Sequence, residues 1–375
     1  MQRRQALRAA GALALGAAGS AWAQPGRGAA APRALTIAQI VDTSALQQDV
    51  SKDFLIGSRA AWQDINSKGG LHGRHVNHVS VDVDGTAASL QAALASLRDN
   101  PACVVLSGTA GDPVASQLVG QLRRENLAIA HVAPWLQNSS IEVDERTFPI
   151  FAARQEQIGH ALKSLTVMGV AELGAIYASP QEQALYQADL QRIAAELKLR
   201  LVNFRPEGDL SRLGQRLTQS TPAILLFVGG TPELVQFTQG LEKQSRQRYV
   251  VALADVNLQT MMQMGAARNT PVIATQAVPM VTASLPVVRA YRETLARLFE
   301  EPPAPLSLGG FIAARYTFEV LNDVEGAITR ASALAAFQRR ANVDVGGFRV
   351  AFNPQRRSAT FVTQSMLTQD GRVVG

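Results

Sequence analysis

The chain has 375 residues, 47% of them hydrophobic and 6% aromatic, with a formal charge of +6 at neutral pH. That length exceeds one ordinary core and points to two compact lobes of roughly 150 residues each, at an apolar content normal for an α/β protein. The single cysteine, Cys103, excludes an intramolecular disulfide and a paired-cysteine metal site, and its apolar setting, Ala102 to Leu106, implies a buried thiol.

The first residues carry a compartment signal. Arg3 and Arg4 precede an apolar run from Ala9 to Ala21 and the small-residue triplet Ala21-Trp22-Ala23. This order predicts a secretory signal peptide over 1–23, cut after Ala23. The run falls short of the about 20 apolar residues that span a bilayer. Its weak hydrophobicity and the arginine pair suit a twin-arginine signal; an uncleaved anchor helix is the competing reading. Residues 24–34, built of Pro, Gly and Ala, read as a linker outside the fold. Three of the 36 basic residues, Arg3, Arg4 and Arg8, lie in this leader, so 33 face the 30 acidic ones beyond it. The basic pairs there are scattered and form no stripe of the kind nucleic acid requires.

Short β-rich runs then alternate with amphipathic segments. Leu35 to Val41 predicts a buried strand. A helix through Phe54, Ala60 and Ile65 ends at Gly69-Gly70. A strand from His75 to Val83, a helix Ala87 to Leu97, a strand Cys103 to Leu106, a helix Val114 to Arg124 and a strand Leu127 to Val132 follow. This repetition builds a parallel sheet covered by helices, with ligands expected at the carboxyl ends of its strands. The series restarts with a short strand Phe148 to Phe151 and a helix Ile158 to Met168. Leu173 to Tyr177, Ala223 to Val228 and Tyr249 to Leu253 read as strands of a second sheet, with helices between them, and Val272 to Val278 as a segment that crosses back. Helices Pro286 to Phe299 and Phe311 to Ala327 come next. The tail reads as a β-hairpin of Phe348 to Phe352 against Thr360 to Leu367. The fold class is therefore α/β, with two doubly wound parallel-sheet lobes joined by a multi-segment hinge. Lobe one takes 35–154 plus 278–342, and lobe two 155–277 plus 343–375. The hinge crossings are expected at Ala152 to Glu156, Ala274 to Val278 and Asn342 to Gly346.

Several chemistries lack their signatures. There is no GxxxxGK[ST] phosphate loop and no GxSxG nucleophile elbow. Gly108 to Gly111 follows a strand, but with no third glycine it is not a dinucleotide fingerprint. His72, His75 and His78 recur at spacing three, yet on a strand His75 and His78 point to opposite faces, which argues against a metal. No cofactor is expected, and nothing nominates a catalytic pair.

Asp53 to Gly73 (DFLIGSRAAWQDINSKGGLHG), Gly309 to Leu321 (GGFIAARYTFEVL) and the tail from Gly346 to Phe352 and on to Asp370-Gly371-Arg372 resemble the first helix, late helix and closing hairpin of the branched-chain amino-acid-type periplasmic binding proteins. The resemblance runs from about Leu35 to the carboxyl terminus. It implies the type I periplasmic binding protein fold and a non-enzymatic, monomeric, extracytoplasmic receptor. Such a receptor hands a small polar solute, an amino acid or related carboxylate, to the membrane permease of an ABC transporter. A sensory module for a membrane receptor is the rival reading, and a hydrolase on a similar scaffold a lesser one.

The site residues follow from strand ends and from the resemblance. Ser107, Gly108, Thr109, Ala110 and Gly111 leave a strand before a helix, where small residues let backbone amides approach a carboxylate. The resemblance assigns the carboxylate to this loop, with the Thr109 hydroxyl as an added donor; an ordinary strand–helix turn is the alternative. Trp135 departs from the family's small residues after Pro134 and either narrows the cleft or packs between lobes. Gln137 is a candidate donor. Ser179 follows the second lobe's first strand, and Gln183 stands near a place where the family carries tyrosine. Gly230 matches a family glycine, whereas Thr231 replaces a frequent aromatic. Asp255 falls where the family's acid meets the ligand's ammonium, with a helix N-cap as the alternative.

Export is the first testable consequence. Mass spectrometry of protein from the native host should find a mature terminus at or near Gln24. Replacing Arg3 and Arg4 by Lys should block export through the twin-arginine route; a soluble cytoplasmic pool retaining Met1 contradicts the reading.

Overall fold

The computed structural model describes residues 35–205, 208–266, 269–358, 361–368 and 372–375. The expected leader and linker lie outside them, as do Asp370 and Gly371 of the expected tail turn. The first series is β1 (Leu35–Asp42), α1 (Gln48–Ser67), β2 (Val76–Val83), α2 (Ala87–Arg98), β3 (Cys103–Ser107), α3 (Asp112–Arg124), β4 (Ala130–Val132) and β5 (Thr147–Phe148). Next come α4 (Arg154–Val167), β6 (Glu172–Tyr177), α5 (Pro180–Glu196), β7 (Arg200–Asn203), α6 (Leu210–Arg216), β8 (Ile224–Val228), α7 (Thr231–Leu241), β9 (Tyr249–Ala252), α8 (Leu258–Gln263) and β10 (Val272–Gln276). The chain closes with α9 (Pro286–Leu298), α10 (Pro305–Asn322), α11 (Arg330–Gln338), β11 (Val343–Val345), β12 (Phe348–Val350), β13 (Thr363–Leu367) and β14 (Val373–Val374).

Two mainly parallel sheets result. The first has the order β2-β1-β3-β4-β5, and the second β14-β13-β10-β9-β8-β6-β7. Every pairing in the first sheet is parallel, and in the second only β13 runs against the other strands, pairing antiparallel with β10 on one side and β14 on the other. β1 is buried along its whole length, as a strand covered by helices on both faces must be, which is why it reads as an apolar run. The strands of the second sheet likewise lie between two apolar clusters, one built on Phe227, Phe237 and Met261, the other on Leu162, Tyr177 and Leu190. α1 stops where the sequence predicts: Gly69 and Gly70 take φ of +106° and +70°, and the Gly70 amide closes on the Ile65 carbonyl.

The structure corrects the sequence reading in four places. Val272–Gln276 is a full strand, paired parallel with β9 and antiparallel with β13, and the crossing comes after it. β7 and α11 are additional elements. α10 begins at Pro305, six residues before Phe311, because proline at the first helical turn loses no hydrogen bond. The tail does not pair as expected: β12 pairs with β11 across Gly346-Gly347, whose φ of +58° and +95° suit a two-residue hairpin turn. That hairpin buries Val345, Phe348 and Val350 in the cluster that holds Phe151, Val287 and Phe311 of the first lobe. The block 343–375 therefore does not pass whole to the second lobe: Ser358 bonds to Pro149, Phe361 and Val362 still pack on the first cluster, and β13 joins the second sheet.

α1 and α10 pack backbone to backbone. A Cβ on Gly57 would stand 1.6 Å from the Ser307 carbonyl oxygen, and one on Gly310 1.8 Å from that of Phe54. Ser58, between them, donates to both the Phe54 and the Gly310 carbonyls. Gly57→Ala and Gly310→Ala should each destabilise the fold by about 2 kcal/mol or more through forced separation of the helices. Gly159→Ala, where nothing lies within 4 Å of the new methyl, should instead stabilise by roughly 0.5–1 kcal/mol. Urea melts of the three variants check this.

Candidate functional site

The carboxyl ends of the parallel strands in the two sheets face each other, and side-chain hydrogen bonds join the two lobes, one of them from Gln157 to Gln137. Trp135 Nε1 donates to Asp255 Oδ1 at 2.9 Å, Tyr186 donates to Asp112 Oδ2 at 3.2 Å, and Asn257 donates to Asp53 Oδ2 at 2.7 Å. Trp135, Asp112 and Asp53 come from the first lobe; Asp255, Tyr186 and Asn257 from the second.

The Ser107 to Gly111 loop turns its groups inward. The Ser107 hydroxyl pairs with Thr317 at 2.7 Å. The Gly108 amide donates to the Val132 carbonyl, while its own carbonyl accepts from Gln39. Thr109 is 0% exposed and its hydroxyl pairs with His131 Nε2 at 2.9 Å. Burial pushes that imidazole down to about 3, so it is neutral at neutral pH. The Ala110 amide is taken by the Ile40 carbonyl. Gly111, at φ +97°, caps α3 so close to Asp42 that a Cβ would stand 2.6 Å away. Glycine is required there by space as well as by φ.

Trp135 follows Ala133, which adopts φ +47°, a conformation uncommon for a residue with a side chain. That kink carries the indole into the space between the lobes, where it is buried against Phe54 and Phe151 with ring centroids at 5.7 and 5.3 Å. Gln137 is buried too: its amide N–H donates to Asp112, its carbonyl receives the Arg154 amide, and its side-chain oxygen accepts from Gln157.

In the second lobe Ser179 caps α5, accepting the Glu182 amide. Gln183 lies half-buried one position later. Gly230 precedes α7 with extended backbone, and a Cβ there would meet Glu233 Oε2 at 2.9 Å. The Thr231 hydroxyl accepts the Asn257 amide, which steadies the loop after β9. Asn257 caps α8, so the helix-cap alternative for Asp255 does not hold.

Asp255 pairs with Arg154, a residue the sequence reading placed only in a hinge. Arg154 Nη2 reaches Asp255 Oδ2 at 2.5 Å, and its guanidinium lies 5.4 Å from the centre of the Tyr186 ring. It is 1% exposed, and its Nε and Nη1 have no hydrogen-bond partner. Burial works against the charge, but Asp255, backed by Tyr186, Glu182 and Asp112, outweighs it and holds the guanidinium above its ordinary pKa. The signal available in the sequence was one arginine in the otherwise small and apolar crossing Phe151-Ala152-Ala153. Glu182, Glu233, Asp112 and Tyr186 were likewise not chosen as site residues.

Burial raises Asp112 and pushes Glu182 up to about 7 from its ordinary 4.5. A raised carboxyl keeps a proton that the unfolded chain releases, so the contribution of Glu182 to stability is lost as pH rises through about 7.

Removing one partner of a buried pair strands the other charge. Arg154→Met and Asp255→Leu should each cost about 3–5 kcal/mol. The double variant Arg154→Met with Asp255→Leu should cost well below their sum. Urea titration of this cycle measures the coupling; additive losses would show that the two groups do not stabilise each other.

Comparison with known proteins supplies the family. A profile described as periplasmic binding protein matches residues 34–369, and no curated protein sequence matches. Among solved structures, an extracellular ligand-binding receptor from Verminephrobacter eiseniae superposes with a TM-score of 0.83 at 17% identity, over 91% of this chain and 100% of that one. A fatty acid ABC transporter substrate-binding protein from Thermomonospora curvata gives 0.78 at 14% identity, over 91% and 90%. The branched-chain amino acid transporter substrate-binding protein of Streptococcus pneumoniae, solved with isoleucine, gives 0.75 at 12% identity, over 92% and 98%. With a family match over most of its length and the type I fold of these receptors, the chain belongs to the periplasmic binding protein family, whose members bind solutes rather than catalyse reactions.

Proposed function

We propose that this chain is the extracytoplasmic receptor of an ABC-type transporter, closing two lobes over a small polar solute, an amino acid or related carboxylate, and presenting it to a membrane permease. The observation that carries the reading is the meeting of the two sets of strand ends across Trp135, Arg154, Tyr186 and Asp255, with unpartnered polar atoms buried at that meeting. Supporting it, structural neighbours from Streptococcus pneumoniae and Desulfitobacterium hafniense were solved with isoleucine and Leu. No helix among the described residues is long and apolar enough to cross a membrane, which fits a receptor that works beside its permease. In this reading the lobes hinge at Phe151 to Arg154, at the segment after β10, and where Val362 leads into β13.

Solute enters an open form and closes it, because contacts to both lobes are complete only in the closed state. A thermal-shift screen against amino acids and organic acids should give a hit whose stabilisation grows with the excess of solute over its Kd. Small-angle scattering should then show a smaller radius of gyration with that hit than without it. An unchanged radius at saturation argues for a rigid pocket and against the hinge.

A further inference from the structure

Four carboxylates gather where the lobes meet: Asp112, Glu182 and Asp255 face the guanidinium of Arg154, and Glu233 faces Glu182. Glu182 and Glu233 lie in the first turns of α5 and α7. These helices leave β6 and β8, neighbours in the sheet, with β9 and Asp255 next in order. Two of the four acids are committed. Asp255 holds Arg154 and the Trp135 indole, and Asp112 accepts the amides of Gln137 and Asn138 and the Tyr186 hydroxyl. Glu182 and Glu233 each keep a buried Oε2 without a partner.

The donors show the matching pattern. The Thr109 hydroxyl and the Gly108 and Ala110 amides are already bonded within the first lobe. Arg154 Nε and Nη1 and Gln137 Nε2 are buried and unpartnered, on side chains 1% and 0% exposed at the residue level. A buried donor or acceptor left unmade costs free energy that a solute recovers by supplying its partner.

On the reading of the chain as a solute receptor, we propose that Glu182 and Glu233 receive a protonated amine and that Arg154 with Gln137 receives a carboxylate, in place of Asp255 and the Thr109 loop. Arginine suits the second task because its planar fork matches a carboxylate. The acids exceed the guanidinium in this cluster, so the solute is an amino acid, neutral or basic, rather than an amine-free anion. The charged groups facing Glu182 are Arg154, Asp112, Asp255 and Glu233, and among them its carboxyl titrates at about 7. An amine beside it holds it ionised. Binding therefore releases a proton below pH of about 7 and weakens as pH falls through that value.

The test is calorimetric titration of the mature chain with the standard amino acids, succinate, benzoate and octanoate. The tightest member should carry an amine. Glu182→Gln and Glu233→Gln should each weaken it by about tenfold or more, the loss of a charge-assisted bond, and Thr109→Val should bind like the parent. Repeating the titration of the parent near pH 6 in buffers of different ionisation enthalpy reads the released proton and needs no variant. The inference is overturned if succinate, benzoate or octanoate binds best, if both glutamine variants bind like the parent, or if no proton is released. In those cases contraction on binding would still sustain the receptor reading. If no member of the panel binds, both fall.

Discussion

The buried pair of Arg154 and Asp255 is the constraint to which the rest of the interlobe region answers. Moving two charges out of water costs several kcal/mol per ion, and their attraction repays this only when further hydrogen bonds satisfy the remaining atoms. Asp255 meets that requirement: one oxygen takes the guanidinium and the other the Trp135 indole. Arg154 meets it in part, through one nitrogen and the face of Tyr186. The pair also fixes geometry. Arg154 is the first residue of α4, where the chain enters the second lobe, and Asp255 follows β9. One ion pair thus joins the start of α4 to a strand end, and the indole joins both to the first lobe.

Around that pair the backbone accepts an unusual conformation. Ala133, at φ +47°, lies on a loop that frames it. Such conformations persist only where the surroundings over-determine them. Here the Ala133 amide is held by the Phe148 carbonyl, and the Trp135 amide by that of Thr109. The consequence is an indole set across the cleft mouth of the first lobe, packed on Phe54 from α1. Because α1 is pressed against α10 through Gly57 and Gly310, the indole's position depends on a helix contact distant in sequence from either lobe's site loops.

Most of the fold was legible because its causes are local. Continuous apolar runs mark strands covered on both faces, and Gly69-Gly70 or Pro286 mark helix ends through φ alone. The errors fall where pairing is long-range or a short signal was passed over. Val272–Gln276 reads as a crossing until β13 arrives from 363–367 to pair with it, and Gly346-Gly347 is a hairpin turn whose strands are only three residues long. The site was harder for the same reason. Asp255 was legible as a strand-end acid, but its partner Arg154 lies 101 residues away. The Thr109 hydroxyl looked available until His131 on the neighbouring strand was seen to take it. Sequence spacing states which groups leave a strand end and not which of them are already satisfied.

The unsatisfied groups decide what a solute can do. A ligand shifts a conformational equilibrium only by its differential affinity for the two states. In this chain part of the closed contact set belongs to the protein itself: Trp135 to Asp255, Tyr186 to Asp112 and Asn257 to Asp53. On the proposed receptor reading, these bonds lower the work of closure that a solute must supply, and they do so without regard to its identity. Discrimination then rests on the atoms the closed protein leaves unpaired, which are charged or amide groups buried away from water. A solute that matches them recovers several unmade bonds at once, whereas one that lacks a single partner leaves a buried charge exposed to a low-dielectric interior. In that reading closure and selectivity are carried by different residues, the first by bonds already made and the second by bonds still open.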